Sequence, residues 1–370
     1  TIFSYLFSRE PKRMIWSPEI VLLLVFIVWM FISTIFALYP ELAWAQWDKV
    51  WKIQMMTIMT LLLLTSRDRL HVFVWVTTLS IGYYGVKGGM FTLATGGSYR
   101  VWGPEGTFIG GNNEIALALV MIIPLFRYLQ LQETRIWVRR GLALAMLLCA
   151  VAAIGSQSRG ALLAIVAMGT FLWIKSRQKL ATGFYTLVAV LLILLTMPAE
   201  WHERIGTIQN YQQDGSAMGR INAWHVAVGL AKTRITGGGF EAFQAPSFLA
   251  YAPEPLNVHD VHSIYFEVMG EHGIIGLLLW LSLGLVAWFR ASKVIRACRL
   301  DPGRKWAADL AGMTQVSMIG YASGGAFLGL AYFDLYYHLI VLVVLTHHLA
   351  VKHAGAAAKS GRKPPRFARR

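Results

Sequence analysis

The stretch "VHDVHSIYFEVMGEHGIIGLL", Val258 to Leu278, sets His259, Asp260, His262, Glu267 and Glu271 at or near the head of a long apolar run. Ionisable groups are expensive in a membrane helix and mark function by default. Two chemistries fit these residue types. His259 and His262, three apart with Asp260 between them, are of types that ligate a metal. No third ligand follows at a telling spacing, and the lone Asp214 and Asp334 supply no acidic pair elsewhere. The other chemistry is general base catalysis, because a histidine titrates near neutral pH and can take a proton from a hydroxyl. A histidine that merely starts a helix with a backbone partner is the commoner case. If the helix begins early, His262, Phe266 and Met269 share one face with His259. Glu267 and Glu271 read as charge partners or orienting groups, although Glu271 with Gly273 and Gly276 equally marks tight helix packing.

A second set of residues is cationic. Arg100 lies in "SYRVWGPEGTFIGGNNEIALAL", Arg159 in "GSQSRGALLA" and Arg220 in "DGSAMGRINAWH". The planar fork of arginine binds phosphate oxygens in pairs. Several arginines near one membrane interface would suit a lipid-linked pyrophosphate. Salt bridges or carbonyl caps are the plain alternative. That alternative carries even weight for Arg159 and Arg220, and is favoured for Arg204 and Arg234. Lys87, inside an apolar run, is a candidate by position, unless Gly88 and Gly89 break the helix and hydrate it.

The elements that must position these groups follow from composition. The chain has 370 residues, 56% hydrophobic and 14% charged, against the roughly 25% charged residues of ordinary soluble domains. The apolar residues gather in about ten runs, at 16–38, 50–65, 70–94, 110–130, 140–155, 160–174, 181–198, 263–289, 308–330 and 335–351. The fold class is therefore an all-α polytopic membrane protein. The net charge of +15 invites a nucleic-acid reading. The positive-inside rule explains it without a partner. Arg9, Lys12 and Arg13, then Arg67 and Arg69, then Arg135, Arg139 and Arg140, then Lys175, Arg177 and Lys179, then Arg290 to Lys305, then the tail, all fall on alternate loops. Those loops read as cytoplasmic. Arg127, near a cytoplasmic helix end, can snorkel. Cys149 and Cys298 suggest neither a disulfide nor a metal site. Residue 1 is Thr with no leader before the first run, so the expectation is a chain that begins after upstream residues were lost.

The domain organisation expected is a membrane bundle of about seven spans at 1–198, a loop subdomain at 199–261, about three spans at 262–351, and a basic, disordered tail at 352–370 able to touch anionic lipid. The long loop mixes Gly- and Pro-rich turns with amphipathic helical stretches, Arg220–Ala231 being one. It faces the outer side, as do His262 and the three arginines.

At this point the residues resemble the O-antigen ligase/polymerase superfamily. Its order of motifs is matched by Arg100-Val-Trp-Gly103 with Asn113, by Ser158-Arg159-Gly160, by Gly219-Arg220 with Trp224, by Gly237-Gly238-Gly239-Phe240, and by His262-Ser263 leading into Glu271-His-Gly273-Ile-Ile-Gly276. The match runs over about residues 95–280 and looks most like the lipopolysaccharide O-antigen ligase branch, including O-glycosylation ligase relatives. "IGGNNE" departs from the Pro-Asn of many relatives. The resemblance implies a GT-C-like helical membrane glycosyltransferase of about twelve spans with one long periplasmic loop. It implies undecaprenyl-diphosphate-linked glycan as donor, lipid A–core oligosaccharide as acceptor, the bacterial inner membrane as location, and no metal or other cofactor. By motif, His262 is the catalytic residue. Arg159, Arg220 and Arg100 are the pyrophosphate ligands, with Asn113, Glu271 and His259 in support. An O-antigen polymerase and a protein O-oligosaccharyltransferase share the same donor. A lipid-linked glycan transporter would instead place its charges near mid-membrane, often within inverted repeats.

Overall fold

Ser17 and Pro18 start the first helix for a local reason. Proline's fixed φ suits the first turn, where its missing N–H is no loss, and Ser17 stands extended before it at φ −149°. The computed structural model describes residues 14–175 and 215–352. Among these residues there are eleven α-helices and no strand. They are α1 (Pro18–Ile35), α2 (Pro40–Leu63), α3 (Arg67–Ala94), α4 (Asn112–Gln132), α5 (Ile136–Gly155), α6 (Arg159–Lys175), α7 (Gly215–Thr233), α8 (Ala245–Tyr251), α9 (Ile264–Cys298), α10 (Lys305–Gly324) and α11 (Asp334–His347). A 3-10 turn, Gly325–Phe327, closes α10, and a π turn, His348–Lys352, extends α11. Helices stand at nine of the expected apolar runs. The run at 181–198, Arg204, Asp214 and the tail beyond Lys352 lie outside the described residues.

α1, α4, α5, α9 and α11 with its terminal turn are long and apolar enough to cross a membrane. The protein is an all-α, polytopic integral membrane protein. Its helices divide by burial. In α4 every residue from Ile115 to Ile122 is buried, and in α11 every residue from Leu339 to Thr346. A helix that is apolar and buried all round is core. By contrast α1 exposes Val21, Val25 and Val28, and α9 exposes Leu278, Leu285 and Phe289. These faces suit lipid.

Small residues set the close approaches, as expected where lipid removes the hydrophobic drive between helices. α3 runs unbroken through Gly88 and Gly89, so the break entertained from sequence does not form. A Cβ on Gly89 would strike the Leu148 backbone of α5, and Lys87 sits exposed on another side. Across the bundle, Ser317 of α10 donates to the Met121 carbonyl at 2.7 Å, and the fully buried Glu19 of α1 pairs with Arg290 of α9.

The helices define two ends. At one, the Arg67 guanidinium lies 5.2 Å from the Trp306 ring centre, Gln132 bonds Asp309 at 3.1 Å, and Arg304 reaches the Ala350 carbonyl at 3.4 Å. These contacts gather the basic loops 64–69, 133–140 and 296–305 together. The other end holds 36–39, 95–111, 156–158, 234–263 and 325–333. There α7 and α8 build a small apolar core from Ala223, Val226, Leu230, Ala242, Phe248 and Val261.

Candidate functional site

Val261 anchors the loop that carries the histidines. Its side chain is buried in the small core, Asp260 Oδ1 accepts its N–H at 2.7 Å, and its carbonyl accepts from Trp224 Nε1 at 2.9 Å. Pinned at three points, it delivers His262 with a left-handed backbone, φ 40°. α9 begins only at Ile264, after Ser263 in extended conformation. The shared helix face expected for His259, His262, Phe266 and Met269 therefore does not form, because His259 and His262 belong to the loop. His259 packs against Gly219 of α7. Among the described residues no group of three or more His, Cys, Asp or Glu side chains is placed to hold a metal ion.

The His262 ring is aimed by its surroundings. Its Nδ1 is buried, with Asp260 Oδ2 3.4 Å away, while the side chain as a whole is 32% exposed. The inward nitrogen is thus Nδ1, and Nε2 is the outward one.

The Ser-Arg-Gly turn is sewn together by short bonds. α5 ends at Gly155, and Gln157 turns the chain with φ 57°. Ser158 Oγ accepts the Ala161 N–H at 3.3 Å, capping α6 so that Arg159 is its first residue. Arg159 therefore combines a guanidinium with the positive end of a helix, a place where anions bind. Arg100 Nε donates to Gln157 Oε1 at 3.3 Å, and Asn112 Nδ2 to the Ser156 carbonyl at 2.9 Å. Arg100 is thus held two positions from Arg159. Asn113, the asparagine singled out from sequence, is the second residue of α4; its neighbour Asn112 makes the bond to the turn.

The turn and the histidine loop meet through aromatic rings. A Cβ on Gly160 would lie 4.0 Å from Phe327 Cβ. The Phe327 ring is 6.3 Å from Trp224, and Trp224 stacks on Phe266 at 4.7 Å and 8°. Arg220 is one turn before Trp224 on α7. The segments that carry Arg159, Arg220 and His262 accordingly meet at one patch of Phe327, Trp224 and Phe266.

Beneath this patch α9 bends. Gly273 takes φ 69°, ψ −174°, a conformation open essentially to glycine alone. The bend strips the carbonyls just before it of helical partners. The Gly-rich strip takes them: Gly238 N–H donates to Gly270 and Gly239 N–H to Glu271, both at 2.8 Å. Trp29 Nε1 takes the His272 carbonyl at 2.8 Å. Glu271 closes the joint. Its Oε1 accepts the Glu241 N–H at 2.8 Å and its Oε2 the Tyr332 hydroxyl at 2.5 Å. Glu267 Oε2 accepts the Ala331 N–H at 3.0 Å. His272, fully buried, lies 2.6 Å from Ser33 Oγ and 2.8 Å from the Tyr332 hydroxyl. Glu271 is thus a brace of the loop. Glu241 also has left-handed backbone, φ 57°, and partial burial raises its carboxyl, with Asp260 adding and Lys49 opposing.

Sequence reading passed over Asn112, Gln157, Asp260 as a partner of His262, and the Ser33–His272–Tyr332 network. Polar types beside the motifs were the available signal for the first three. Ser33 and Tyr332 lie far from His272 in sequence and gave none.

The fold defines an integral membrane protein, and the segments that carry the motif arginines and His262 lie at one end of its bundle. Residues 144–281 match the family model described as O-antigen ligase, and residues 1–134 match a family of unknown function. No curated protein matches the chain. The 144–281 match supports the O-antigen ligase/polymerase superfamily, whose members are membrane glycosyltransferase-like enzymes. That domain contains Arg159, Arg220, His262 and Glu271; Arg100 and Asn113 fall in the other match.

Proposed function

We propose that the protein is an O-antigen ligase. It would be a metal-independent, inverting transferase that moves a glycan from undecaprenyl diphosphate to lipid A–core oligosaccharide. Its site would face the periplasm from the inner membrane. The observation that carries this reading is the meeting, at one aromatic patch, of the segments that bear Arg159 at the start of α6, Arg220 and His262. His262 takes a proton from an acceptor hydroxyl, and that oxygen attacks the anomeric carbon of the donor. The bond to the diphosphate breaks with its electron pair leaving on the phosphate. Arg159, the N-terminus of α6 and Arg220 offset that charge. Arg100 supports the same anion from across the turn. The basic loops at the opposite end support this orientation.

A transporter is disfavoured by where the charges sit. The site groups gather at one end, and the buried Glu19–Arg290 pair lies near the other.

The test gives purified protein the lipid-linked donor with three acceptors in turn: lipid A–core, a second lipid-linked glycan, and a Ser/Thr-bearing protein. Transfer to the first is the expected outcome. Transfer confined to the second or third would replace ligase with polymerase or protein O-oligosaccharyltransferase. Movement of intact donor across vesicles without transfer would overturn the enzyme reading.

A further inference from the structure

A base must present one nitrogen to its substrate and keep the other occupied. His262 meets half of this condition by its burial, with Nδ1 turned inward and Nε2 outward. The other half concerns what holds the ring. We propose that Asp260 is the positioning residue for His262, accepting from Nδ1–H and so fixing the tautomer that leaves Nε2 free to take the acceptor proton. The inference rests on the transferase reading and deepens it.

Three observations carry it. First, the Asp260 carboxylate is itself fixed: Oδ1 holds the Val261 N–H at 2.7 Å, which turns Oδ2 toward Nδ1 at 3.4 Å. In this resting state Nδ1 makes no hydrogen bond; catalytic hydrogen bonds are often long or poorly aligned before substrate binds and tighten with it. Second, His262 keeps φ 40°. A bulky side chain holds such a backbone only where its surroundings impose it. Here the imposing contacts are the Val261 side chain in its core, the Asp260 bond and the Trp224 bond to the Val261 carbonyl. Third, the two carboxylates of α9 near this end are engaged elsewhere: Glu271 on Tyr332 and the Glu241 N–H, and Glu267 on the Ala331 N–H.

The step then balances. Nε2 receives the hydroxyl proton as the new C–O bond forms and the anomeric C–O–P bond breaks, its electrons leaving on the diphosphate. Nδ1–H stays in place, and the imidazolium is matched by the Asp260 carboxylate. The proton on Nε2 is lost to water when product leaves.

The experiment measures initial transfer rates from undecaprenyl-diphosphate glycan in four proteins besides wild type: Asp260→Asn, Asp260→Glu, His262→Ala, and His262→Ala with Asp260→Asn. Asp260→Asn is expected to lower kcat by about 10- to 100-fold, no more than the roughly 100-fold lower bound of what the general base itself supplies, with KM for donor and acceptor moved less than about twofold. Asp260→Glu is expected to recover part of that loss. Adding Asp260→Asn to His262→Ala is expected to change the residual rate less than about twofold, since residues acting as a unit are non-additive. Three results would overturn the proposal: kcat of Asp260→Asn within twofold of wild type, a rise in acceptor KM at constant kcat, or the same fold loss in both backgrounds. Wild-type turnover by His262→Ala would sink the base reading itself, and is thereby separable from failure of the dyad.

Discussion

Gln157, Glu241 and His262 are the non-glycine residues with left-handed backbone among those described, and each adjoins one motif of the site. Such conformations cost of order 1–3 kcal/mol and cluster where function requires them. The residue types of His262, Arg159 and Arg220 were legible in sequence, as was their order along the chain. Asp260 beside His262 was visible only as a letter. Whether an aspartate reaches a histidine two positions on depends on the φ between them, which composition does not report. Asn112 and Asn113 show the same limit, since the helix start decides which of the two reaches the turn. At this scale the arginines make a sharp prediction. Arg159→Lys keeps the charge at the start of α6 and loses the planar fork. A charged hydrogen bond lost is about 1.5–3 kcal/mol. Donor KM is therefore expected to rise by about 10- to 100-fold, and Arg220→Lys similarly. A steady-state titration of donor checks both, and an unchanged KM in each would remove them from the diphosphate.

Among the elements, α9 departs most from its reading as a plain span. Its apolar run predicted one helix, and one long element is present, but Gly273 bends it. In sequence, Gly273 and Gly276 looked like packing glycines, because a glycine inside an apolar run does not announce its φ. Packing is also real: a Cβ on Gly273 would collide with the Ile235 carbonyl. Gly273→Ala is expected to cost about 1–3 kcal/mol for the forbidden backbone alone, with further loss from that collision. The matched control is Gly141→Ala in α5, where a Cβ meets nothing within 4 Å. That change is expected to stabilise by about 0.5–1 kcal/mol, as alanine exceeds glycine inside helices. Thermal scans in detergent read both. Equal melting shifts for the two would show that the bend is not imposed by Gly273.

At the scale of the whole molecule, charge and shape agree. Basic loops converge at one end through Arg67–Trp306, Gln132–Asp309 and Arg304–Ala350. The site occupies the other. Hydrophobic runs and alternate basic loops made the helices and the two ends legible, because both signals are local along the chain. The meeting of Ser33 with His272, or of Phe327 with Trp224, was not legible, because it depends on packing between distant helices. Sidedness can be read by labelling. Cys149 and Cys298 are both buried, so the background is low. Leu256, 92% exposed at the site end, and Leu300, 83% exposed at the basic end, are suitable positions for introduced cysteines. Leu256→Cys is expected to react with a membrane-impermeant maleimide from the periplasm, and Leu300→Cys only after the inner membrane is opened. The reverse pattern would invert the protein and place the site in the cytoplasm.

The most direct measurement is glycan transfer by the purified protein in excess EDTA, wild type against His262→Ala, followed by the mass of the lipid A–core product. The expected result is full transfer by wild type in chelator and at least about 100-fold slower transfer by His262→Ala, the lower bound of what a general base contributes. Product formed by His262→Ala as fast as by wild type, or wild-type activity lost in EDTA and restored by Mg²⁺, would contradict an arginine-and-histidine transferase.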